Sequence, residues 1–184
     1  IKKGFSHIGI FFLSVLALLP LAVLYGISSF MFYFFYYITR YRRKVVRENL
    51  ANSFPEKPLN ELVKLEKQYY RYLCDLVVEI IKMPNLSKKD LEKRYVFKNM
   101  EMVTDQLERG QSLILCSAHY GNWEWGMLAL SLKFPNPKYV IFKPLNNELF
   151  NEWFYKVRAK FGNSPVAMKQ TLRTVIRSKN ETSV

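Results

Sequence analysis

The stretch Leu113-Ile114-Leu115-Cys116-Ser117-Ala118-His119-Tyr120-Gly121-Asn122-Trp123-Glu124 decides how this chain is read. Leu113 to Ser117 is a short apolar run of the kind that forms a buried strand, and a helix is predicted from about Trp123. Between them, Gly121 and Asn122 are the two residue types that best tolerate the positive φ of a tight turn. The segment therefore reads strand, turn, helix, with a histidine at the carboxyl end of the strand and a carboxylate just inside the helix. That edge of an α/β sheet is where ligands and catalysis concentrate.

Further along the chain, the alternation continues with a strand at Tyr139 to Phe142, a helix from about Asn146 to Phe161 and a last basic helix from about Met168 to Ser178. Strands alternating with helices predict an α/β fold, a mostly parallel sheet covered by helices. Upstream, Leu62, Leu65, Tyr69, Tyr72, Leu73, Leu76 and Ile80 mark the inner face of a long amphipathic helix that stops before Pro84. Ser87 opens a short helix with Asp90 in a capping-box-like position. Asn99 is placed to cap the next helix, which ends at Gly110. Thr182, Ser183 and Val184 fall where a further strand would begin, so the chain is expected to be the amino-terminal portion of a longer domain.

The amino-terminal part has a different character. From Ile8 to Ile38 no residue is charged, which suits a membrane segment, since a spanning helix needs about 20 apolar residues. Pro20 interrupts the run, so one spanning helix and a spanning helix followed by an interfacial aromatic one are both open. A cleaved secretory signal is the rival, but the run is longer than an h-region and lacks a convincing small-residue cleavage site. Residues 1–39 are thus read as the membrane anchor and 40–184 as the catalytic domain. Arg40, Arg42, Arg43, Lys44 and Arg47 follow the anchor directly, which predicts a cytoplasmic position and contact with anionic membrane lipid. Val46, Leu50 and Phe54 give that segment one apolar stripe.

Composition narrows the function classes. The 184 residues are 49% hydrophobic and 16% aromatic, which excludes a disordered basic tail. A net charge of +13 favours anionic partners, but the basic and aromatic residues form no nucleic-acid-binding module, so nucleic acid is not expected as a partner. With two histidines, His7 in the anchor and His119, no metal site is expected. Cys74 and Cys116 lie in unlike contexts, and Cys116 reads as a small core residue on the strand.

Chemically, a neutral imidazole takes the proton of a substrate hydroxyl as its oxygen attacks a thioester carbonyl, and a neighbouring carboxylate orients the ring and stabilises the imidazolium. In a continuous helix, His119 and Glu124 would lie about 140° apart, so their contact depends on the turn at Gly121 and Asn122. A lone histidine is more often a core residue satisfied by a helix start. Here the turn and the carboxylate favour catalysis.

His119, Tyr120, Gly121, Asn122, Trp123 and Glu124 together carry the H-x4-D/E signature, and the segment resembles the lysophospholipid acyltransferase-like family of lipid A biosynthesis acyltransferases, the lauroyl and myristoyl transferases. Leu19 with Pro20, the run from Arg47 to Pro55, Phe97 to Glu101, and Lys143 to Asn147 with Arg158 and Gly162 extend the likeness over nearly the whole chain. The resemblance implies His119 as general base and Glu124 as its partner. It also implies substrate-binding roles around Gly121, Asn122, Trp123, Lys143 and Arg158, with Arg158 binding phosphate or steadying the carboxylate. Solvated basic surface is the alternative for Lys143 and Arg158. Lys143 stands where the family usually has arginine, keeping the charge but losing the bidentate fork. A later Asp-Gln element of the family lies beyond Val184. No cofactor is implied: the co-substrate is an acyl thioester, with acyl carrier protein as donor, and the acceptor is a hydroxyl of a lipid A precursor, on the way to lipopolysaccharide, at the cytoplasmic face of a bacterial inner membrane. Acylation of a lysophospholipid or aminoacyl lipid, and a non-catalytic membrane-binding protein, are the other readings.

Overall fold

The computed structural model describes the backbone of residues 2–184 and the side chains of residues 6–184. Ile1, the first residue of the expected anchor, lies outside the described residues. The chain forms two compact units, Leu16–Lys82 and a second made of Ile1–Val15 with Met83–Val184.

Pro20, in the first unit, does what its missing N–H dictates: α1 (Lys2–Leu18), which belongs to the second unit up to Val15, ends before it, and α2 (Leu21–Tyr33) starts after it. Lys82 donates to the carbonyls of Ala17 and Leu19 at 2.9 Å each, supplying partners where the proline interrupts the helical ladder. α2 runs into a π-helical turn, Phe34–Ile38. Leu21–Ile38 is long and apolar enough to cross a membrane, while the apolar part of α1, Ser6–Leu18, is shorter. The uncharged run is therefore two helical pieces.

Opposite, α3 (Arg43–Ser53) and the long α4 (Leu59–Lys82) complete the unit. Leu24, Ser28, Phe32 and Tyr36 recur every fourth residue as one buried stripe, facing a matching stripe of Glu66, Tyr70, Cys74 and Val78 on α4. Ser28 donates to Asp75 at 2.5 Å and Tyr25 to Glu79 at 2.7 Å, so the two helices run antiparallel. The buried face of α4 matches the one expected only in part, with Leu62 and Leu76 buried. Tyr69 and Tyr72 are exposed, and Glu66 and Cys74 lie inside. Hydrophobicity alone misplaces this face because Glu66, with none of its surface exposed, is neutralised by two guanidiniums of α3.

Arg43 Nε donates to Glu66 Oε1 at 2.9 Å, and Arg47 donates through Nε to Oε2 at 2.8 Å and through Nη2 to Oε1 at 3.2 Å. Burial pushes the Glu66 carboxyl up, but hydrogen bonds from Arg47, Arg43 and Tyr36 outweigh it and hold it below the ordinary carboxylate range.

In the second unit, Ser87 caps α5 (Lys88–Arg94) by accepting from Asp90 N at 3.1 Å, as expected. α6 (Glu101–Glu108) closes in a Schellman motif: Gly110, at φ +76°, donates to Leu107 O and Gln111 to Gln106 O. Asn99 does not cap α6 with its side chain. It lies at φ +56° and offers its backbone carbonyl to Met102 N. α7 (Trp123–Leu130) packs on α5, and Gly126 is the contact point, because a Cβ there would meet the Tyr95 hydroxyl at 2.5 Å.

The sheet is smaller than expected. β1 (Lys138–Phe142) and β2 (Asn163–Ala167) pair in parallel, Lys138 opposite Asn163 through Phe142 opposite Ala167, with α8 (Glu148–Arg158) as the crossover. Two 3-10 turns, Lys160–Gly162 and Met168–Gln170, flank β2, and α9 (Thr171–Arg177) follows. Lys160 Nζ, its pKa lowered by desolvation, donates to the carbonyls of Met83, Pro84 and Leu86.

The expected buried strand at Leu113 to Ser117 does not form: the segment is irregular, with Ile114 89% exposed and Cys116 on the surface rather than in the core. A strand needs a ladder partner for its backbone. Here Leu113 N donates to Ser183 O, the one bond the described backbone makes to this segment. Val184 in turn donates to Pro137 O and accepts from Tyr139 N, the parallel pattern beside β1. The described chain is therefore mostly helical, with a two-stranded parallel sheet in place of a larger one.

Replacing Glu66 with Gln is expected to cost about 2 to 3 kcal/mol, moderated because Arg43 and Arg47 remain 26% and 39% exposed. Since the folded carboxyl titrates below its unfolded value of about 4.3, this stability is complete above that pH and is lost as pH falls through the lower, folded value. Unfolding of the detergent-solubilised protein against pH checks it: the advantage of the wild type over E66Q should be constant above the unfolded value of about 4.3 and shrink steadily as the pH falls below it.

Candidate active site

The turn between the irregular segment and α7 is built as the residue types require. Gly121 sits at φ +61°, a left-handed conformation costing other L-residues about 1 to 2 kcal/mol. Asn122 serves differently. At φ −93° it is the N-cap of α7, its Oδ1 accepting from Trp125 N at 3.0 Å. The helix therefore starts at Trp123, which places Glu124 in its first turn, where the helix dipole favours a negative charge.

Glu124 is buried, 6% exposed, and its carboxylate is gripped by Arg158 from the last turn of α8. Arg158 Nε donates to Oε2 at 3.0 Å, and Nη2 donates to Oε1, a two-pronged pairing in which the planar guanidinium matches the carboxylate. The guanidinium carbon also lies 5.1 Å from the centre of the Phe154 ring and 5.5 Å from that of Phe142, the last residue of β1. Asn163, first residue of β2, donates to Arg158 O at 3.2 Å. The crossover unit thus fixes the arginine, and the arginine fixes the carboxylate.

His119 is exposed, its ring 4.7 Å from that of Trp123 between centroids. Among the described residues no ion pair within 4.0 Å joins His119 to Glu124. Of the residues singled out from the sequence, the structure joins Glu124 to Arg158 and His119 to Trp123. Lys143, exposed just beyond β1, takes part in neither contact. A carboxylate accepts at about four lone-pair sites, and Arg158 occupies two, so Glu124 retains the capacity to receive an imidazole N–H.

Sequence reasoning missed β2 and, with it, Asn163, which ties the Arg158 backbone in place. Pro165 conceals the strand: proline cannot donate to a ladder and is tolerated because β2 pairs with β1 alone among the described strands. No group of three metal-ligating side chains occurs among the described residues.

The model of the bacterial lipid A biosynthesis acyltransferases matches residues 2–184. The chain belongs to that family. The protein is accordingly an acyltransferase of lipid A biosynthesis, with an acyl donor and a lipid acceptor, from a family of bacterial membrane-associated enzymes. No curated protein and no solved structure matches the chain.

Replacing Arg158 with Ala would leave the Glu124 carboxylate buried without its partner, an expected cost of about 3 to 5 kcal/mol. Adding Glu124→Gln to that variant should recover part of the loss. A double-mutant cycle in thermal or urea unfolding measures the coupling, and additive effects would contradict the clamp.

Proposed function

We propose that this acyltransferase moves a fatty acyl group from an acyl thioester, carried on acyl carrier protein, to a hydroxyl of a lipid A precursor at the cytoplasmic face of the inner membrane. His119 is the general base and Glu124 its partner. One observation carries the reading: an exposed imidazole five residues before a buried carboxylate, separated by a turn of Gly121 and a cap of Asn122.

In this mechanism the His119 imidazole accepts the acceptor's hydroxyl proton as the oxygen attacks the thioester carbonyl. A C–O bond forms, the tetrahedral intermediate collapses, the C–S bond breaks, and the imidazolium returns the proton to the departing thiolate. Binding of the acceptor draws the exposed His119 segment inward, so that one ring nitrogen faces the hydroxyl and the other donates to a remaining lone pair of Glu124. Arg158, already engaged on that carboxylate, acts as its positioning residue. Gly121 and Asn122 shape the loop against the substrate, Trp123 supports the imidazole, and Lys143 offers a point charge to a lipid phosphate. The chemistry needs no cofactor beyond the thioester.

The membrane position rests on the family and on the order of the chain, an apolar stretch at Leu21–Ile38 followed at once by Arg40, Arg42, Arg43, Lys44 and Arg47.

Purified full-length protein, offered a labelled acyl carrier substrate with several lipid acceptors, should acylate a hydroxyl of the lipid A precursor, identified by product mass. His119→Ala should lower the rate by about 100- to 10,000-fold while leaving membrane association intact. A wild-type rate in H119A would remove the proposed base, and transfer confined to lysophospholipid would reassign the acceptor.

A further inference from the structure

The first unit carries a basic pocket that the proposed mechanism does not use. A cavity of about 450 Å³ is lined by Arg40, Arg43, Lys44, Arg47 and Glu48. All of these residues lie within Leu16–Lys82.

A solvated basic face needs no internal order, but this cluster has it. Glu66 holds Arg43 and Arg47 side by side, and Arg43 also lies 4.4 Å from the centre of the Tyr36 ring and donates to Tyr36 O. Each guanidinium has five N–H donors. These bonds use Nε and Nη1 on Arg43, and Nε and Nη2 on Arg47, so both keep donors while lining the cavity. Arg40 and Arg42 adopt φ of +50° and +52°, in the left-handed region that residues with a Cβ rarely occupy. Two such residues so close together, directly after a π-helical turn, fold the chain back so that Arg40 lines the same cavity as α3.

We propose that this pocket binds the phosphate of a membrane lipid headgroup. Four cations against the carboxylates of Glu48 and Glu66 leave an excess of positive charge, and fixed guanidinium forks match phosphate oxygens. The lipid source follows from the chain: the pocket begins two residues after the apolar stretch Leu21–Ile38 ends. Tyr33, Tyr37 and Tyr41, exposed at four-residue spacing, mark the depth at which headgroups lie.

The test uses full-length protein in non-ionic detergent, titrated calorimetrically with phosphatidic acid, with diacylglycerol as the uncharged control and inorganic phosphate as the free anion. Phosphatidic acid should bind the wild type, and both controls at least tenfold more weakly. Arg40→Gln with Lys44→Gln, two exposed side chains outside the Glu66 clamp, should weaken phosphatidic acid binding at least tenfold with an unchanged circular dichroism spectrum. Lys88→Gln with Lys89→Gln on α5 removes the same charge elsewhere and should leave binding as it was. Equal binding by R40Q/K44Q and wild type, equal loss in the α5 variant, or diacylglycerol or phosphate binding as tightly as phosphatidic acid would each overturn the proposal. Because the readout is binding, its failure leaves the roles of His119 and Glu124 untouched, and theirs leaves it untouched.

Discussion

A carboxylate buried at the start of a helix is tolerable only if something cancels its charge, and here the Arg158 guanidinium does so. An ionised Glu124 out of water without a partner would cost several kcal/mol. With Arg158 on both oxygens, and with the first turn of α7 favouring negative charge, the carboxylate stays inside. Much of the second unit serves that pairing. The crossover from β1 through α8 brings Arg158 to the spot, Phe154 and Phe142 flank the guanidinium, and Asn163 holds its backbone. The turn before α7 then leaves His119 outside, on a segment free of sheet constraints, five residues from a carboxylate held in place.

The first unit solves the same problem with a different outcome. Glu66 is buried as fully as any residue in its unit, and two guanidiniums rather than one neutralise it. Two arginines around one carboxylate leave positive charge to spare, and that surplus opens onto the cavity. At Glu124 the pairing is one to one, and what remains is lone-pair capacity on the anion. A paired carboxylate is a positioning device in both cases, and the stoichiometry decides whether the site is left with spare donors or spare acceptors.

Much of this was legible in the sequence. Periodicity and caps located the long α4, the Ser87 cap, the Gly110 terminus and the helices after Trp123 and Asn146, because local rules govern those features. Pro20 announced a break in the apolar run, and the chain breaks there. The failures share a cause: they depend on partners distant in sequence. The run at Leu113 to Ser117 has the composition of a strand but makes one backbone bond, to Ser183. β2 hides behind Pro165 and is a strand because β1 lies next to it. The inner face of α4 is legible at Leu62 and Leu76 but not at Glu66, which looks like a surface residue until Arg43 and Arg47 are placed over it. At the site, the H-x4-E spacing points to Glu124, while the family resemblance leaves Arg158 with either a phosphate or the carboxylate as its partner; the βαβ crossover is what brings it onto the carboxylate.

In the proposed mechanism the carboxylate is fixed in advance, and the imidazole comes to it with the substrate. A cryo-electron microscopy structure of the full-length enzyme with a lipid acceptor and an unreactive acyl-thioester analogue tests this most directly. One His119 ring nitrogen should lie within about 3 Å of the acceptor hydroxyl, with the other donating to Glu124 and Arg158 still on the carboxylate. An acceptor hydroxyl and thioester carbonyl bound together, with His119 beyond hydrogen-bonding reach of both the hydroxyl and Glu124, would contradict it.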